Sequence, residues 1–332
     1  MNLQYRLDLL QRLGEYILSD DAGWQSAREK AGFENGWFIP EFVERSVRQI
    51  GISFLQKETL EKWMAAYPLP QQRAQPKTVG IIMAGNIPLV GFHDWLCVFL
   101  SGHQALVKPS SKDSVLIRHL VQQLINWEPA IAQQTRFADM LKGCDAYIAT
   151  GSNNSSRYFD YYFGKYPHII RRNRTSVGVL DGTETMDELS ALADDVYLYF
   201  GLGCRNVTRL FVPEQYDFVP LLAAFKKYNY LADHHKYKNN YDYNLALHLL
   251  NKVEYMTNGS LLLVQDPSLF SPISQLNYTF YSPAQLPAEL AAHVDEIQCI
   301  TGHGFLPFGQ AQCPFVNDYA DGVDTLQFLT NL

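Results

Sequence analysis

The chain has 332 residues, of which 47% are hydrophobic and 18% charged, so it can bury a large core and is long enough for two domains. A formal net charge of −7, with no Lys/Arg block beyond residues 171–174, argues against a nucleic-acid surface. The five cysteines are odd in number and lack CxxC spacing, which argues against a disulfide framework and against a zinc site.

The N-terminus does not resemble a secretory signal, because charged residues interrupt the first eight positions. No apolar run approaches the roughly 18 residues of a membrane span. We therefore expect a soluble cytoplasmic protein that acts on small molecules, without a nucleic-acid partner, membrane insertion or a bound metal.

Residues 1–75 are predicted to form an N-terminal helical segment. A second amphipathic stretch runs from about residue 58 to residue 67. The first helix presents one apolar face, made of Leu3, Leu7, Leu10, Leu13 and Ile17.

From residue 76 onward, short apolar runs alternate with helical stretches. Strands are predicted at 79–83, 104–107, 146–150, 168–170 and 177–180. Helices are predicted at 95–100, 114–127 and 154–165. This alternation is typical of βαβ units on a parallel sheet, so we expect a doubly wound α/β dinucleotide-binding domain over residues 76–195.

Residues 196–332 are predicted to form a second α/β unit, the catalytic cysteine domain. Its strands are expected at 207–212, 261–264 and 278–281, and its helices near 216–231 and 245–250. No linker composition marks the boundary between the two domains.

Cys204 is the candidate nucleophile, in the segment Gly-Leu-Gly-Cys-Arg-Asn. Its glycines let the backbone approach a ligand and leave the thiol unshielded. The alternative is a small buried cysteine, and the local sequence leaves the two interpretations about even. Cys97, within an apolar run, is expected in the core.

Polar residues follow three successive predicted strands, at the sheet edge where α/β proteins bind ligands. Asn86 follows the first strand, and its amide suits an oxyanion or a helix cap. Lys108 follows the second, where a cation suits ribose or phosphate or is simply solvated. Gly151 and Ser152 open a helix whose N–H groups suit a pyrophosphate or merely need a cap. No G-x-G-x-x-G is present, so only the three turns together predict a nucleotide site.

Three further features receive no site assignment. His234 and His235 are adjacent, so their side chains diverge, and no HExxH follows. The run at residues 171–174 is expected to be solvated, with phosphate neutralisation as the alternative. His303 lies between two glycines, and nothing gives it a role.

Five segments occur in order: AGNIP at 84–88, KPSS at 108–111, ATGS at 149–152, RNRTSVGVLDG at 172–182 and GLGCRN at 201–206. This set resembles the acyl-CoA reductases of the LuxC type, the fatty-acid reductase component of bacterial luminescence and its relatives. These belong to the aldehyde dehydrogenase superfamily. The resemblance runs from about Thr78 to the C-terminus, although the N-terminal helical segment does not align.

The resemblance implies an aldehyde dehydrogenase-like fold, with a variant Rossmann domain, a catalytic domain and an active site in the cleft between them. It implies that Cys204 is the nucleophile and that Asn86, with the Cys204 backbone N–H, forms the oxyanion hole. Lys108 and Ser110 match the strand that contacts the adenosine ribose.

The same resemblance places Gly151 and Ser152 at the turn beneath the cofactor phosphates. Ser111 stands where many NAD-preferring relatives carry a glutamate after Lys-Pro-Ser, which predicts NADPH as the cofactor with NADH also accepted. Aldehyde-oxidising relatives carry Glu-Leu-Gly-Gly-Lys where this chain has residues 171–175, so the water-activating carboxylate is absent and reduction is favoured.

The functional hypothesis is NAD(P)H-dependent reduction of an acyl-CoA or acyl-carrier thioester to the aldehyde, through an acyl-enzyme on Cys204. One alternative is an aldehyde dehydrogenase running toward acyl-CoA, and another is a non-catalytic nucleotide-binding interaction subunit. A homo-oligomer and a complex with an acyl-activating enzyme are the alternatives for its assembly.

Overall fold

The computed structural model describes residues 1–332, apart from the side chain of Asn153. The chain divides into two compact units. The first contains Met1–Asn173 and Pro314–Leu332, and the second contains Arg174–Cys313. Among the described residues, none of the helices combines the length and the apolar character needed to cross a bilayer.

Four helices begin the first unit: α1 (Leu3–Ile17), α2 (Ala22–Glu34), α3 (Pro40–Ser53) and α4 (Lys57–Met64). Two of them have side-chain caps, since Asn2 accepts a hydrogen bond from the Tyr5 N–H at 2.8 Å and Asp21 accepts one from the Trp24 N–H at 2.9 Å. The apolar face predicted for α1 is buried in the core of this unit. The predicted N-terminal helices are therefore confirmed.

The sheet of the first unit contains β1 (Thr78–Ile82), β2 (Gln104–Lys108), β3 (Thr135–Phe137), β4 (Ala146–Thr150) and β5 (His168–Arg171). All neighbouring pairs are parallel, in the order β3-β2-β1-β4-β5. The helices between these strands are α5 (Phe92–Ser101), α6 (Val115–Trp127), α7 (Ile131–Gln134) and α8 (Asn153–Phe163).

The direction of the strand order reverses between β1 and β4. The chain moves from β1 through β2 to β3 on one side, and from β4 to β5 on the other. Because crossovers between parallel strands are right-handed, α5 and α6 cover one face and α8 covers the opposite face. The loops after β1 and β4 therefore diverge at the carboxyl edge, which is where doubly wound sheets bind ligands.

The second unit contains a six-stranded sheet in the order β11-β6-β7-β10-β9-β8, which is parallel except for the β8–β9 pair. Its strands are β6 (Thr175–Val179), β7 (Val207–Pro213), β8 (Tyr255–Thr257), β9 (Leu262–Gln265), β10 (Gln275–Tyr281) and β11 (Ile297–Gly302). Its helices are α9 (Met186–Tyr197), α10 (Phe218–Ala224), α11 (His235–Asn251) and α12 (Leu286–Ala292).

The position of β6 corrects one expectation from the sequence. The run at 177–180 was expected to extend the first sheet, but β6 pairs with β7 and β11 in the second. Local hydrophobicity identifies a buried strand without identifying its partners, which is why the sequence pattern predicts the wrong sheet for this run.

The two compact units also differ from the division expected at residues 1–75, 76–195 and 196–332. The chain enters the second unit after Asn173, and Pro314–Leu332 belongs to the first. In that returning segment, α13 (Thr325–Thr330) lies beside α5, and the Leu329 carbonyl is 3.0 Å from the His103 ring nitrogen Nε2. The functional division into three segments stays a prediction.

Arg171, the last residue of β5, is buried, so the expectation of a solvated run is wrong at this position. Its guanidinium forms an ion pair with Asp94 of α5 and donates to the Thr325 hydroxyl at 2.8 Å. Arg172 is exposed and contacts Asp160 at 3.3 Å. The Arg171 pair therefore joins three segments that are far apart in the sequence.

We predict that Arg171→Ala lowers the free energy of unfolding by about 3–5 kcal/mol, because it leaves the Asp94 carboxylate buried without a counter-charge. Arg172→Ala is the matched control and should cost less than about 1 kcal/mol, as expected for an exposed pair. Urea denaturation of both variants measures the difference. Equal midpoints for the two would contradict the assigned role of the buried pair.

Candidate functional site

The loop after β1 packs directly against the loop after β2. The Met83 N–H donates to the Lys108 carbonyl at 3.1 Å, and a Cβ built on Gly85 would lie 2.6 Å from the Ser110 Cβ. Such an approach leaves no room for a side chain at Gly85. The structure thus brings the Asn86 loop together with Lys108 and Ser110.

The three residues expected at the cofactor ribose differ in exposure. Lys108 and Ser111 are exposed, whereas Ser110 is half-buried and its hydroxyl accepts a hydrogen bond from the Lys112 N–H at 3.2 Å. An ammonium group and a hydroxyl at this edge can bind ribose or phosphate oxygens.

Gly151 and Ser152 lie between β4 and α8, next to the β1 loop at the edge of the sheet. The Ser152 hydroxyl accepts from the Ser155 N–H at 3.3 Å, so it caps α8. A Cβ on Gly151 would lie 2.9 Å from the Ser155 Cβ and 2.8 Å from the Phe159 ring. The Ser152 hydroxyl therefore has a local structural role, and the α8 N-terminus is the group here that suits an anion.

Cys204 belongs to the second unit, in the loop between α9 and β7, and is half-buried. The chain enters this loop through three consecutive residues in the left-handed region, Tyr199, Phe200 and Gly201, with φ of 55°, 59° and 73°. Non-glycine residues adopt this conformation at a cost, so surrounding contacts must hold it.

Buried hydrogen bonds from the Asn206 side chain stabilise this loop. It is fully buried; its Oδ1 accepts from the Gly203 N–H at 2.8 Å, and its Nδ2 donates to the carbonyls of Leu198 at 2.9 Å and Asp195 at 3.0 Å. Asn206 ends the Gly-Leu-Gly-Cys-Arg-Asn segment, and the sequence alone predicts no role for it. An asparagine between a glycine-rich loop and a buried strand is the signal that could have identified it.

Ser176 of β6 connects the Cys204 loop to a second cysteine. Its hydroxyl lies 3.1 Å from the Cys204 carbonyl and 3.0 Å from the Cys299 Sγ. Burial raises the pKa of the Cys299 thiol above its usual value.

Cys97 is fully buried in the first unit, as expected for a core residue.

His303 lies between two carboxylates in the second unit. Its Nδ1 is 2.9 Å from Asp181 and its Nε2 is 2.9 Å from Glu188, and these hydrogen bonds raise its pKa to about 9. Asp181, Glu184 and His303 place three ligand atoms within 4.8 Å of one another and could hold a cation. Asp181 and His303 are exposed, and acidic surface groups often occur without a metal, so we assign none.

The two histidines considered for metal binding have a different environment. The His234 ring packs on the Phe200 ring, with centroids 4.6 Å apart, and His235 is the first residue of α11. His234 thus supports the loop that leads to Cys204.

A parallel doubly wound sheet followed by a second, mostly parallel sheet is the architecture of aldehyde dehydrogenases, and solved structures show the same fold. Aldehyde dehydrogenase 21 from Physcomitrella patens, in complex with the reaction product succinate, matches with a TM-score of 0.67 and 15% identity over 88% of this chain and 71% of that one. Aldehyde dehydrogenase C from Pseudomonas syringae, a mutant in complex with NAD+ and octanal, matches with a TM-score of 0.64 and 12% identity over 91% and 73%.

The sequence itself matches the acyl-CoA reductase (LuxC) family over residues 43–223, which is more than half of the chain. This chain belongs to that family and is an oxidoreductase. The matched range includes both the Asn86 loop and the Cys204 loop. No curated protein sequence gives a significant match.

We predict that Gly85→Ala destabilises the first unit by about 1–3 kcal/mol, because its new methyl group overlaps the Ser110 side chain. Adding Ser110→Gly removes the overlapping atoms and should restore part of the loss, since the next contact, to the Asp113 Cβ, is at 3.2 Å. Chemical denaturation of the two single variants and the double variant measures this coupling. Additive losses would show that the two loops do not pack as described.

Proposed function

We propose that this protein reduces an acyl thioester, either acyl-CoA or an acyl-carrier thioester, to the aldehyde through an acyl-enzyme on Cys204. NADPH is the proposed reductant, with NADH also accepted. The family match carries this proposal, because it spans every segment in which a candidate residue lies.

The environment of Cys204 supports its role as the nucleophile. Cys97 and Cys144 are buried, whereas Cys204 is half-exposed in a loop whose backbone is fixed by Asn206 and Ser176. A nucleophile needs access to the substrate and a fixed approach to the reacting carbonyl. Cys299 and Cys313 have intermediate exposure too, but neither lies in the matched range.

In the first step, the Cys204 thiolate attacks the acyl carbonyl and forms a C–S bond. The Asn86 amide and the Cys204 backbone N–H, the oxyanion donors implied by the resemblance, stabilise the negative charge on the carbonyl oxygen. When the carbonyl re-forms, the bond to the carrier sulfur breaks. The carrier thiolate then leaves with the bonding electron pair and takes a proton from water.

When bound, the nicotinamide cofactor supplies the hydride that reduces the Cys204 thioester carbonyl. A proton from water completes the thiohemiacetal, whose C–S bond then breaks to release the aldehyde and the Cys204 thiol. The same oxyanion donors serve this second addition, because charge again develops on the same oxygen.

The residues at the edge of the first sheet fit a dinucleotide. The Lys108 ammonium and the Ser111 hydroxyl are exposed after β2, and the N-terminus of α8 follows β4 at the reversal of strand order. Aldehyde dehydrogenases of this fold have been solved with NAD+. These features support binding of a nicotinamide cofactor by this chain.

Reduction is favoured over hydrolysis by the residues that replace the relatives' Glu-Leu-Gly-Gly-Lys. Residues 171–175 contain no carboxylate, and Arg171 is always protonated and is held by Asp94. All five cysteines are thiols rather than disulfides in the described structure, which fits the cytoplasmic location that we propose.

We predict that wild-type protein gains one acyl mass after incubation with a saturated acyl-CoA when no reductant is present. Cys204→Ala should gain none and should lose reductase activity, because the thioester cannot form. Intact-protein mass spectrometry across a panel of chain lengths makes the measurement and reveals the preferred acyl group.

Cys313→Ala is the matched control, because it removes another half-exposed cysteine of the second unit and should leave acylation unchanged. Acyl transfer that persists in Cys204→Ala would overturn the mechanism. A wild-type protein that binds nucleotide but is never acylated would instead support the non-catalytic alternative.

We predict that Ser111→Glu impairs the use of NADPH more than the use of NADH, because a carboxylate there would repel the 2′-phosphate. The difference in kcat/KM should correspond to about 1–3 kcal/mol, the scale of a close unfavourable charge contact. Ser111→Gln controls for side-chain size without charge. Equal effects of Ser111→Glu on the two cofactors would show that Ser111 does not face the 2′ position.

A further inference from the structure

Two buried side chains from different segments contact the peptide group that joins Pro88 to Leu89. The Ser46 hydroxyl of α3 donates to the Pro88 carbonyl at 2.7 Å, and the Leu89 N–H donates to the Asp113 carboxylate at 2.7 Å. The two hydrogen bonds therefore hold opposite ends of one peptide group. Ser46, Leu89 and Asp113 are 8%, 3% and 6% exposed, so water does not substitute for either bond.

This peptide group is held in an orientation that the local sequence disfavours. Leu89 has φ of 56°, in the left-handed region that residues other than glycine rarely adopt. Rotation of the peptide by about half a turn would return Leu89 to negative φ, but it would also turn the Pro88 carbonyl oxygen toward the Asp113 carboxylate. Loss of both hydrogen bonds opposes that rotation.

The hydrogen bond from the Leu89 N–H is the one that the described structure gives the Asp113 carboxylate. Its second carboxylate oxygen, Oδ1, is buried without a hydrogen-bond partner among the described residues, and burial raises its pKa to about 7. Burying a carboxyl group with one unpartnered oxygen costs free energy. The hydrogen bond from the Leu89 N–H is the stabilising interaction that the buried Asp113 carboxyl group provides.

The held peptide restricts the positions that Asn86 can adopt. Asn86 lies two residues before Pro88, and at the other end of the same loop the Met83 N–H is bonded to the Lys108 carbonyl at 3.1 Å. The loop therefore has a fixed point on each side of Asn86. A displaced oxyanion donor loses much of its effect, because donors act only when aimed at the developing charge.

We propose that Ser46 and Asp113 are positioning residues for the oxyanion donor Asn86, acting through the Pro88–Leu89 peptide that they hold between them. This inference rests on the proposed function of Asn86. It also gives the N-terminal helices a part in catalysis, because Ser46 belongs to α3.

The first test measures turnover of the acyl-CoA that acylates Cys204 fastest in the panel. Ser46→Ala should lower kcat about tenfold, the factor expected for one lost hydrogen bond, while KM stays within about twofold. Asp113→Ala should lower kcat at least as much. Asp113→Asn retains a carbonyl oxygen that accepts from the Leu89 N–H, so it should stay within about threefold of wild type.

Ser101→Ala is the matched control for lost stability. Ser101 is also buried in the first unit, and its hydroxyl donates to the Val98 carbonyl at 2.8 Å at the end of α5 that lies farther from the Asn86 loop. It should shift the denaturation midpoint about as much as Ser46→Ala and leave kcat unchanged. A kcat loss in Ser101→Ala equal to that in Ser46→Ala would overturn the inference.

The second test is a double-mutant cycle with Asn86→Ala, which should itself lower kcat about 10²–10³-fold, the loss typical of one oxyanion donor. If Ser46 acts only through Asn86, then Ser46→Ala should have no further effect on kcat in the Asn86→Ala background. An unchanged tenfold loss in that background would overturn the inference, as would an Asn86→Ala variant with wild-type turnover.

The experiments distinguish failure of the proposed function from failure of the positioning role alone. Absence of any acyl adduct on wild-type Cys204 would remove the proposed function itself. A normal adduct together with independent effects of Ser46 and Asn86 would leave that function in place and remove only the positioning role. Alkylation of Cys204 by iodoacetamide should proceed at the wild-type rate in every folded variant, and a slower rate would show that the substitutions act on the thiol instead.

Discussion

The ion pair between Arg171 and Asp94 anchors the edge strand β5 of the first sheet to helix α5. It joins the end of β5 to the first turn of α5, and the same guanidinium donates to Thr325 at the start of α13. Two charges are removed from water here, so each depends on the other and on the hydroxyl for compensation. Because α5 follows the Asn86 loop directly, the pair also limits the paths that this loop can take.

The Arg171–Asp94 pair could not be predicted from the sequence, whereas the elements around it could. The strands and turns around Asn86 and Gly151 could be predicted, because a buried strand and the glycine that ends it are local signals. An arginine in a basic run gives no local sign of a carboxylate 77 positions away. The sheet to which β6 belongs and the return of Pro314–Leu332 to the first unit were missed for the same reason, since both depend on pairings between distant segments.

The two loops that carry the proposed chemistry are stabilised in the same way. Leu89 in one loop, and Tyr199 and Phe200 in the other, adopt left-handed conformations, each at a cost of about 1–3 kcal/mol. In both loops, buried polar side chains bond to backbone groups next to the strained residues: Ser46 and Asp113 in the first unit and Asn206 in the second. The sequence shows the polar residues but not the backbone groups that they meet.

The residues at 171–175 bear on how the proposed thioester intermediate would be protected from water. In the proposed mechanism, acyl transfer to Cys204 and reduction of the thioester use the same oxyanion donors, whereas hydrolysis additionally needs a base that activates water. The guanidinium of Arg171 is paired with Asp94 and cannot accept a proton. The lack of a carboxylate in residues 171–175 would therefore slow hydrolysis of the proposed thioester without slowing its reduction, which is the selectivity that an acyl-CoA reductase requires.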